Sequence, residues 1–251
     1  TVLRRSARAR AGKSAALNDA LPQASGEVVV VFDADHQPTS TCLRALVAPF
    51  ADPRVAAAQG RCVVRNASDG LIARIVAIDY FCGYLVTLTG RARMYGLPAY
   101  GGANCAVRRT VLDEVGWWNV ESVTEDTDLS LRVWLAGYRI AYVEQAVATE
   151  LAVTDLRAFY RQRYRWARGH QTVCRTYRRA VLHSNRLSWS HKFEAMLGDA
   201  LTDYSIKRFT ERKRQPVSSE MSRVLSLTPT KPVACNYPRY FSLSTDVPAR
   251  V

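Results

Sequence analysis

Short apolar runs alternate with segments of helical periodicity over roughly the first 180 residues of the chain. The apolar runs predict strands at 27–32, 55–64, 100–107 and 138–143. Helical spacing predicts helices at 14–21, after Pro38, at 125–136 and from 155 to about 179, the second with one apolar face of Leu43, Leu46, Val47 and Phe50. The unbroken valine run at 28–31 is typical of a central parallel strand covered on both faces. The pattern therefore predicts an α/β fold with a mostly parallel central sheet.

Three segments depart from this alternation. The apolar stretch over 71–90 contains Arg74 and Asp79, which favours an amphipathic helix over a membrane-spanning one. Residues 185–214 are predicted to form a helical segment that begins like one preceding a membrane, and residues 215–251, interrupted by proline and serine, are predicted to be mostly disordered. The folded domain is accordingly expected to span 1–184.

Composition and charge narrow the functional classes. The 251 residues are 48% hydrophobic, enough for a sizeable core, and carry a formal net charge of +13. That charge calls for an anionic partner, which could be nucleic acid, a membrane surface or a phosphorylated substrate. The six cysteines include no Cys-X-X-Cys pair, so reduced cytosolic thiols are expected rather than disulfides or zinc.

Two carboxylates follow the first predicted strand. Asp33 and Asp35 come directly after the valine run, at the edge where open α/β sheets bind their ligands. Oxygen donors at this spacing suit Mg²⁺ or Mn²⁺. An isolated pair of this kind is more often an acidic turn, so the metal-site hypothesis depends on the motifs downstream.

Two further polar clusters lie on predicted helices. One predicted helix begins with the segment 124–128, whose three carboxylates either complement the helix dipole or include an ionised general base. Gln162, Arg165 and Trp166 stand at i, i+3 and i+4 of another helix and so share a face that suits a diphosphate and a sugar ring. The alternative for the second cluster, a basic amphipathic helix on a membrane surface, is compatible with the first interpretation.

A basic loop precedes the first predicted helix. The segment 10–14 resembles a phosphate-binding loop, but Ala7 stands where that motif needs glycine and no strand comes before it. Lys13 and the helix N-terminus could still contact nucleotide phosphates, or the loop is simply a solvated basic turn.

Taken in order and spacing, these motifs resemble the processive family-2 glycosyltransferases, which include cellulose, hyaluronan and poly-N-acetylglucosamine synthases. The resemblance runs from about residue 10 to about residue 179 and rests on Asp33-Ala-Asp35, Thr124-Glu125-Asp126, Gln162-Arg-Tyr-Arg165-Trp166, Gly12-Lys13 leading to Asn18, and Gly101-Gly102-Ala103-Asn104. It implies a GT-A nucleotide-sugar-binding fold, Mg²⁺ or Mn²⁺, a UDP-sugar donor, and inverting transfer to a growing polysaccharide or lipid-linked acceptor. It also implies work on the bacterial cell envelope at the cytoplasmic face of the membrane.

The resemblance assigns roles to individual residues. Asp126, with Glu125 beside it, would be the catalytic base that deprotonates the acceptor hydroxyl. The implied donor-binding and acceptor-binding residues are Lys13, Asn18, Asp33, Gln162, Arg165 and Trp166, and the implied metal ligands are Asp35 and Asp33. Trp166 would stack on the acceptor sugar. One base fits an inverting transfer better than a retaining double displacement.

The chain departs from the family in two places, and two alternatives stay open. The opening strand-helix-strand unit expected before Thr1 is missing, as are the membrane helices expected after residue 179, so a fold incomplete at its N-terminus is expected. A nonprocessive family-2 transferase acting on a lipid or protein acceptor would share Asp33 and Asp35 without needing the Gln162 face. A nucleic-acid-binding protein would explain the arginines of 161–179 but not the carboxylate pair, so no nucleic acid partner is expected and the basic helix is assigned to an anionic membrane.

Overall fold

The computed structural model describes residues 3–6, 9–94, 99–193 and 195. These residues belong to the first of two units into which the chain divides, Thr1–Phe209. The predictions made for 215–251, and for most of 185–214, lie outside the described residues. Cysteines 42, 62, 82, 105 and 174, which the structure describes, are free thiols.

A mixed five-stranded sheet forms the centre of the described fold. Its strands are β1 Val28–Val31, β2 Gln37–Pro38, β3 Val55–Val64, β4 Cys105–Arg108 and β5 Arg139–Glu150, in the order β1-β4-β3-β5-β2. Only β3 and β5 pair in parallel, and β1–β4, β4–β3 and β5–β2 are antiparallel. The predicted mostly parallel sheet is therefore wrong in its pairing.

The position of β4 explains this difference. β1, β3 and β5 run in the same direction, as the predicted alternation requires, but β4 lies between β1 and β3 and runs the opposite way. β1 consequently lies at the edge of the described sheet instead of its centre, and of its valines only Val31 is fully buried. An apolar run reports burial on both faces but not which strand lies alongside it.

Seven α-helices surround the sheet in the described part of the chain before residue 184, and residues 189–193 are also helical. The seven are α1 Lys13–Ala20, α2 Cys42–Val47, α3 Leu71–Phe81, α4 Thr89–Met94, α5 Arg109–Val115, α6 Glu125–Leu135 and α7 Leu156–His183. Short 3₁₀ turns occupy Leu21–Gln23, Ala48–Ala51 and Ala67–Asp69, and a π-helical segment, Cys82–Leu88, joins α3 to α4. The predicted helices at 14–21, 125–136 and 155–179 are confirmed within one to four residues.

Apolar side chains on the two sides of the sheet form separate clusters. Leu112 of α5 and Leu129 of α6 pack on one side with Val31, whereas Cys42 and Leu46 of α2 pack on the other. The predicted apolar face of α2 is only partly correct, because Leu43 is 53% exposed while Cys42 is buried. Two layers of helices on one sheet give the predicted α/β architecture.

Two strand predictions need new limits. The strand predicted at 100–107 is restricted to β4, because residues 100–104 form a loop in which Gly102 and Asn104 have positive φ. The strand predicted at 138–143 continues as β5 to Glu150, through an irregular register opposite Gly60 and Arg61. Both changes place an end of a strand, the start of β4 and the end of β5, at the same edge of the sheet.

The segment Leu71–Met94 forms one continuous helical stretch of 24 residues. Its inner side packs Ala73 and Val76 against β3, but its outer side is also apolar, with Leu71, Ile75, Ile78, Phe81 and Val86 exposed. The exposed surface of the segment is mostly apolar, but it also carries Arg74 and Asp79, and Asp79 is 54% exposed where it pairs with Arg163 of α7. By length and composition alone the segment could cross a membrane, and 11% of its most apolar window is buried.

Candidate active site

A cleft of about 570 Å³ opens at the edge of the sheet where β1 and β5 end. Its walls come from the turn after β1, the loop 99–103, the start of α6, one face of α7 and the inner side of the 71–94 segment. Most of the sequence-predicted site residues line it, namely Lys13, Asp33, Asp35, Glu125, Asp126, Gln162, Arg165 and Trp166. Residues far apart in sequence thus converge on one concave surface.

Asp33 is held by a lysine from α1. Lys13 Nζ lies 2.5 Å from Asp33 Oδ1 and 2.8 Å from the carbonyl oxygen of Gly102, to which it donates. Burial disfavours the charged ammonium, but the hydrogen bond and the charge of Asp33 outweigh burial and raise the pKa of Lys13. Lys13 therefore stays protonated and neutralises Asp33 on one wall of the cleft.

Asp35 has different neighbours. Its Oδ2 accepts a hydrogen bond from the Leu151 N–H at 3.3 Å, and its Oδ1 lies 3.5 Å from His36 Nδ1. The side chain is 43% exposed to the cleft. Among the described residues no lysine or arginine pairs with its carboxylate, so its donor chemistry fits Mg²⁺ or Mn²⁺.

A buried polar cluster lies behind Asp35. His36 Nε2 is 3.1 Å from Glu150 Oε2 and 3.5 Å from Cys62 Sγ, and these three donors could together hold a metal ion. Burial opposes charge on His36, but the hydrogen bond and charge of Glu150 outweigh it and raise the pKa of His36. Burial raises the pKa of the Cys62 thiol. Glu150 could not be predicted as a site residue, because it reaches the site at the end of β5 and the strand was predicted to stop at residue 143.

Asp126 and Glu125 lie at the start of α6 and line the same cleft. Burial raises the pKa of Asp126, although hydrogen bonds from Thr127 and the charge of Lys13 act in the other direction. Burial and the neighbouring Asp126 also raise the pKa of Glu125. Gly102 closes over this pair, since a Cβ there would lie 3.2 Å from Asp126 Oδ2. A buried carboxylate with a raised pKa is a competent proton acceptor near neutral pH.

Two residues beside Asp126 were not predicted. Thr127 donates its backbone N–H to Asp126 Oδ1 at 2.7 Å, and the Thr127 hydroxyl lies 2.7 Å from Nδ1 of His170. His170 comes from α7 and lines the cleft. It continues the face of Gln162 and Trp166 at a spacing of four residues, and that spacing could have identified it.

The predicted face of α7 lies in the cleft. Gln162 and Trp166 line the cleft on the inner side of the helix, and Arg165 extends to its mouth. The Arg163 guanidinium covers one face of the Trp166 indole at 4.5 Å from the ring centre. α7 approaches α6 closely at Gly169, where a Cβ would overlap the Thr124 methyl group. Glycine at this position is what allows the two walls to meet.

A second hollow of about 240 Å³ adjoins the cleft beside α1. It is lined by Gly12 and Ser14 at the start of that helix and shares Lys13, Glu125 and Arg165 with the cleft. Backbone N–H groups at this helix start and two cations make the hollow suited to phosphate oxygens.

Asn18 is the predicted site residue that the structure does not bring to the cleft. Its amide donates to the Trp118 carbonyl oxygen at 2.8 Å, and its Oδ1 accepts the Trp118 N–H at 3.1 Å. The side chain thus ties α1 to the loop before α6. Asn18 supports the wall that carries Lys13 and has no place in the site itself.

Sequence comparison gives one family match and several relatives. A sequence model of the family described as Glycosyl transferase family group 2 matches residues 28–206. A probable glycosyltransferase, YdaM of Bacillus subtilis, is 34% identical over 163 residues, 64% of this chain and 39% of the relative. The beta-monoglucosyldiacylglycerol synthase of Trichormus variabilis is 38% identical over 173 residues, which cover 67% of this chain and 36% of the relative. The poly-beta-1,6-N-acetyl-D-glucosamine synthase of Staphylococcus aureus is 29% identical over 170 residues, which cover 66% of this chain and 40% of the relative. The chain therefore spans well under half the length of these relatives.

Among solved structures, the mannosyltransferase PcManGT of Pyrobaculum calidifontis, in complex with GDP-mannose and Mn²⁺, superposes with a TM-score of 0.54. The alignment covers 86% of this chain and 58% of that one, at 23% sequence identity. At this identity the likeness concerns the fold alone. It confirms a GT-A-like α/β fold for the chain.

Proposed function

We infer the function of this chain from its family and its cleft: it belongs to glycosyl transferase family group 2, and we propose that it transfers a hexose from a UDP-sugar to an acceptor hydroxyl with inversion. The observation that carries the proposal is the convergence of Asp35, Asp126 and the Gln162 face of α7 on one cleft. These groups suit, respectively, the donor's cation, the acceptor's proton and the leaving diphosphate.

The donor diphosphate is assigned to the side of the cleft nearest α1. Asp35 would hold Mg²⁺ or Mn²⁺, which would screen the diphosphate and stabilise the charge that develops on departing UDP. Asp33, neutralised by Lys13, is assigned to the nucleotide and the cation. Gln162 and Arg165 donate to the phosphate oxygens from α7, so the leaving group meets cationic groups on both sides.

Asp126 is assigned as the general base. It accepts the acceptor hydroxyl proton as the acceptor oxygen bonds to the anomeric carbon and the bond from that carbon to the diphosphate oxygen breaks. Asp126 and Asp35 line one cleft, so the acceptor hydroxyl and the donor's cation would meet in the same space. Glu125 shares the same pocket, and burial together with the charge of Asp126 beside it raises the pKa of Glu125. Trp166 is assigned to the acceptor sugar.

The acceptor class follows from the outer surface of the cleft wall. The names of the relatives include both a glucosyldiacylglycerol synthase and a polysaccharide synthase. The apolar outer side of 71–94, with Ile75, Ile78 and Phe81 exposed, favours a lipid acceptor, because its inner side lines the cleft through Tyr80 and Tyr84. A lipid held at this surface would present its hydroxyl to the site. A growing polysaccharide is the second candidate.

A membrane partner is assigned to α7 as well as to 71–94. Next to its cleft-facing side, α7 exposes a stripe of arginines, among them Arg157, Arg161 and Arg168. Such a stripe suits an anionic lipid surface, and we place the enzyme at the cytoplasmic face of the cell membrane, where nucleotide sugars are available. Nucleic acid is not needed to account for the net charge of +13.

The experiment that tests the proposed function is donor-dependent release of UDP, measured with diacylglycerol, glucosyldiacylglycerol or oligosaccharide acceptors. UDP-glucose, UDP-N-acetylglucosamine and UDP-glucuronate are screened in the presence of Mn²⁺ or Mg²⁺. We expect one donor to release UDP in proportion to the acceptor glycosylated. Release from none of these donors, with UDP nonetheless binding, would contradict the proposal.

A further inference from the structure

A chain of polar contacts links Asp126 to the middle of α7. Nδ1 of His170 lies 2.7 Å from the Thr127 hydroxyl oxygen, and that oxygen lies 3.3 Å from Asp126 Oδ1. The same Asp126 oxygen already accepts the Thr127 N–H at 2.7 Å. A single hydroxyl, with one proton to donate, therefore stands between an imidazole and the carboxylate assigned as base.

The protonation of His170 decides where that hydroxyl proton points. If Nδ1 carries no proton, Thr127 donates to it and Asp126 keeps only the backbone N–H. If Nδ1 is protonated, it donates to the hydroxyl oxygen, and Thr127 turns its own proton toward Asp126. The contact with Nδ1 is the shorter, 2.7 Å against 3.3 Å to Asp126 Oδ1, so a deprotonated Nδ1 competes with the carboxylate for the one hydroxyl proton.

The surroundings of His170 keep its imidazole neutral. Burial and the positive charge of Arg91 on α4 both lower its pKa below 6.5. From α6 the group that faces it is Thr127, through which it meets Asp126. Charge on the imidazole is therefore confined to acidic pH, and at neutral pH the uncharged ring is the partner of Thr127.

The groups that face Asp126 are accounted for in the same way. Lys13 approaches from α1 and lowers its pKa, Glu125 lies beside it on α6, and Tyr100 and Cys105 lie beneath it. The pKa values of Tyr100 and Cys105 are raised by burial, so both stay neutral. The Thr127 hydroxyl is then the one neighbour described here whose hydrogen bond to Asp126 depends on a group on another helix.

We propose that His170 is a positioning residue that sets the base strength of Asp126 by holding the Thr127 hydroxyl away from it. The inference rests on the proposed function, in which Asp126 accepts the acceptor proton. A hydrogen bond to a carboxylate stabilises its charged form and weakens it as a base. By occupying the hydroxyl, the neutral imidazole removes one such bond and keeps Asp126 a stronger proton acceptor.

The test compares three substitutions by NMR titration of the Asp126 carboxyl carbon. His170→Leu removes the acceptor, so Thr127 turns to Asp126 and the Asp126 pKa falls by about one unit. His170→Asn keeps an acceptor oxygen near the position of Nδ1 and leaves the Asp126 pKa close to that of the parent chain. In a Thr127→Val background, His170→Leu has no effect on the Asp126 pKa, because no hydroxyl remains to turn.

Two results would overturn the proposal. The first is that His170→Leu leaves the Asp126 pKa unchanged in a chain that keeps the native Thr127. The second is a ¹⁵N NMR spectrum showing that Nδ1 of neutral His170 carries the proton. The His170 ring signals can be assigned because the chain has four histidines. Neither measurement uses sugar transfer, so an Asp126→Asn chain that retains transfer would refute the proposed function while leaving the titration result intact. If both proposals hold, the acid limb of the transfer rate moves to lower pH in His170→Leu.

Discussion

The two aspartates of the Asp33-Ala-Asp35 motif are chemically different in the folded chain. Lys13 Nζ pairs with Asp33 Oδ1 at 2.5 Å, whereas the carboxylate of Asp35 has a backbone N–H and a histidine as its neighbours. In the sequence they are an equivalent pair, because the lysine is supplied by a helix before the strand. We therefore propose Asp35 as the main ligand of a divalent cation, and Asp33, balanced by Lys13, as a contact for both the nucleotide and the cation.

We expect UDP binding to depend on a divalent metal, and Asp35→Ala to remove that dependence. Two phosphates next to Asp33 and Asp35 repel the carboxylates unless a cation bridges them. Calorimetry of UDP binding in Mn²⁺ and in EDTA measures the difference, with Asp69→Ala, an exposed aspartate of a surface turn, as the matched control. Equal UDP affinity of the unsubstituted chain in both solutions would contradict this assignment.

Elements whose contacts are local were predicted well, and those that depend on distant pairing were not. The face of Gln162, Arg165 and Trp166 could be predicted because positions three and four apart on one helix point the same way. The antiparallel insertion of β4 could not, since it joins strands that are far apart in sequence. The contact of Leu151 with Asp35, across 116 residues, was missed for the same reason.

The outer side of 71–94 shows a second limit of pattern analysis. Arg74 and Asp79 suggested a polar face, but Asp79 is paired with Arg163 on the neighbouring helix. Its charge is thereby neutralised by a contact that the sequence does not display. Most of the exposed surface beside the cleft is nevertheless apolar, although Arg74 and Asp79 are also exposed.

We expect this surface and the arginines of α7 to act together in membrane binding, which vesicle sedimentation measures. Replacing Arg157, Arg161 and Arg168 by Gln should weaken binding to vesicles containing phosphatidylserine by about 3 kcal/mol in low salt, roughly a hundredfold. Ile78→Ser should weaken binding to anionic and neutral vesicles alike, because it removes exposed apolar area that the membrane would bury. Arg44→Gln, at an exposed position of α2, serves as the control. Equal binding of the parent chain to neutral and anionic vesicles would contradict a role for the arginines.

The cleft as a unit is assembled from parts that are each weak evidence alone. A carboxylate pair, an acidic helix start and a polar helix face have ordinary structural explanations when taken singly. Their convergence with Lys13 around a space of about 570 Å³, in a chain of this family, is what supports a sugar-transfer site. The central claim is therefore that Asp126 acts on the acceptor while Asp35, Lys13 and the face of α7 hold the donor.

The most direct test of that claim is acceptor-dependent UDP release by Asp126→Asn, a nearly isosteric change at the start of α6. We expect UDP affinity to survive and transfer to fall by about a hundredfold or more, the usual effect of losing a positioned base. Asp113→Asn, on the exposed side of α5, keeps an acceptor for the Trp117 N–H and should leave transfer unchanged. Transfer at the parent rate in Asp126→Asn would show that Asp126 only complements its helix and would contradict the account.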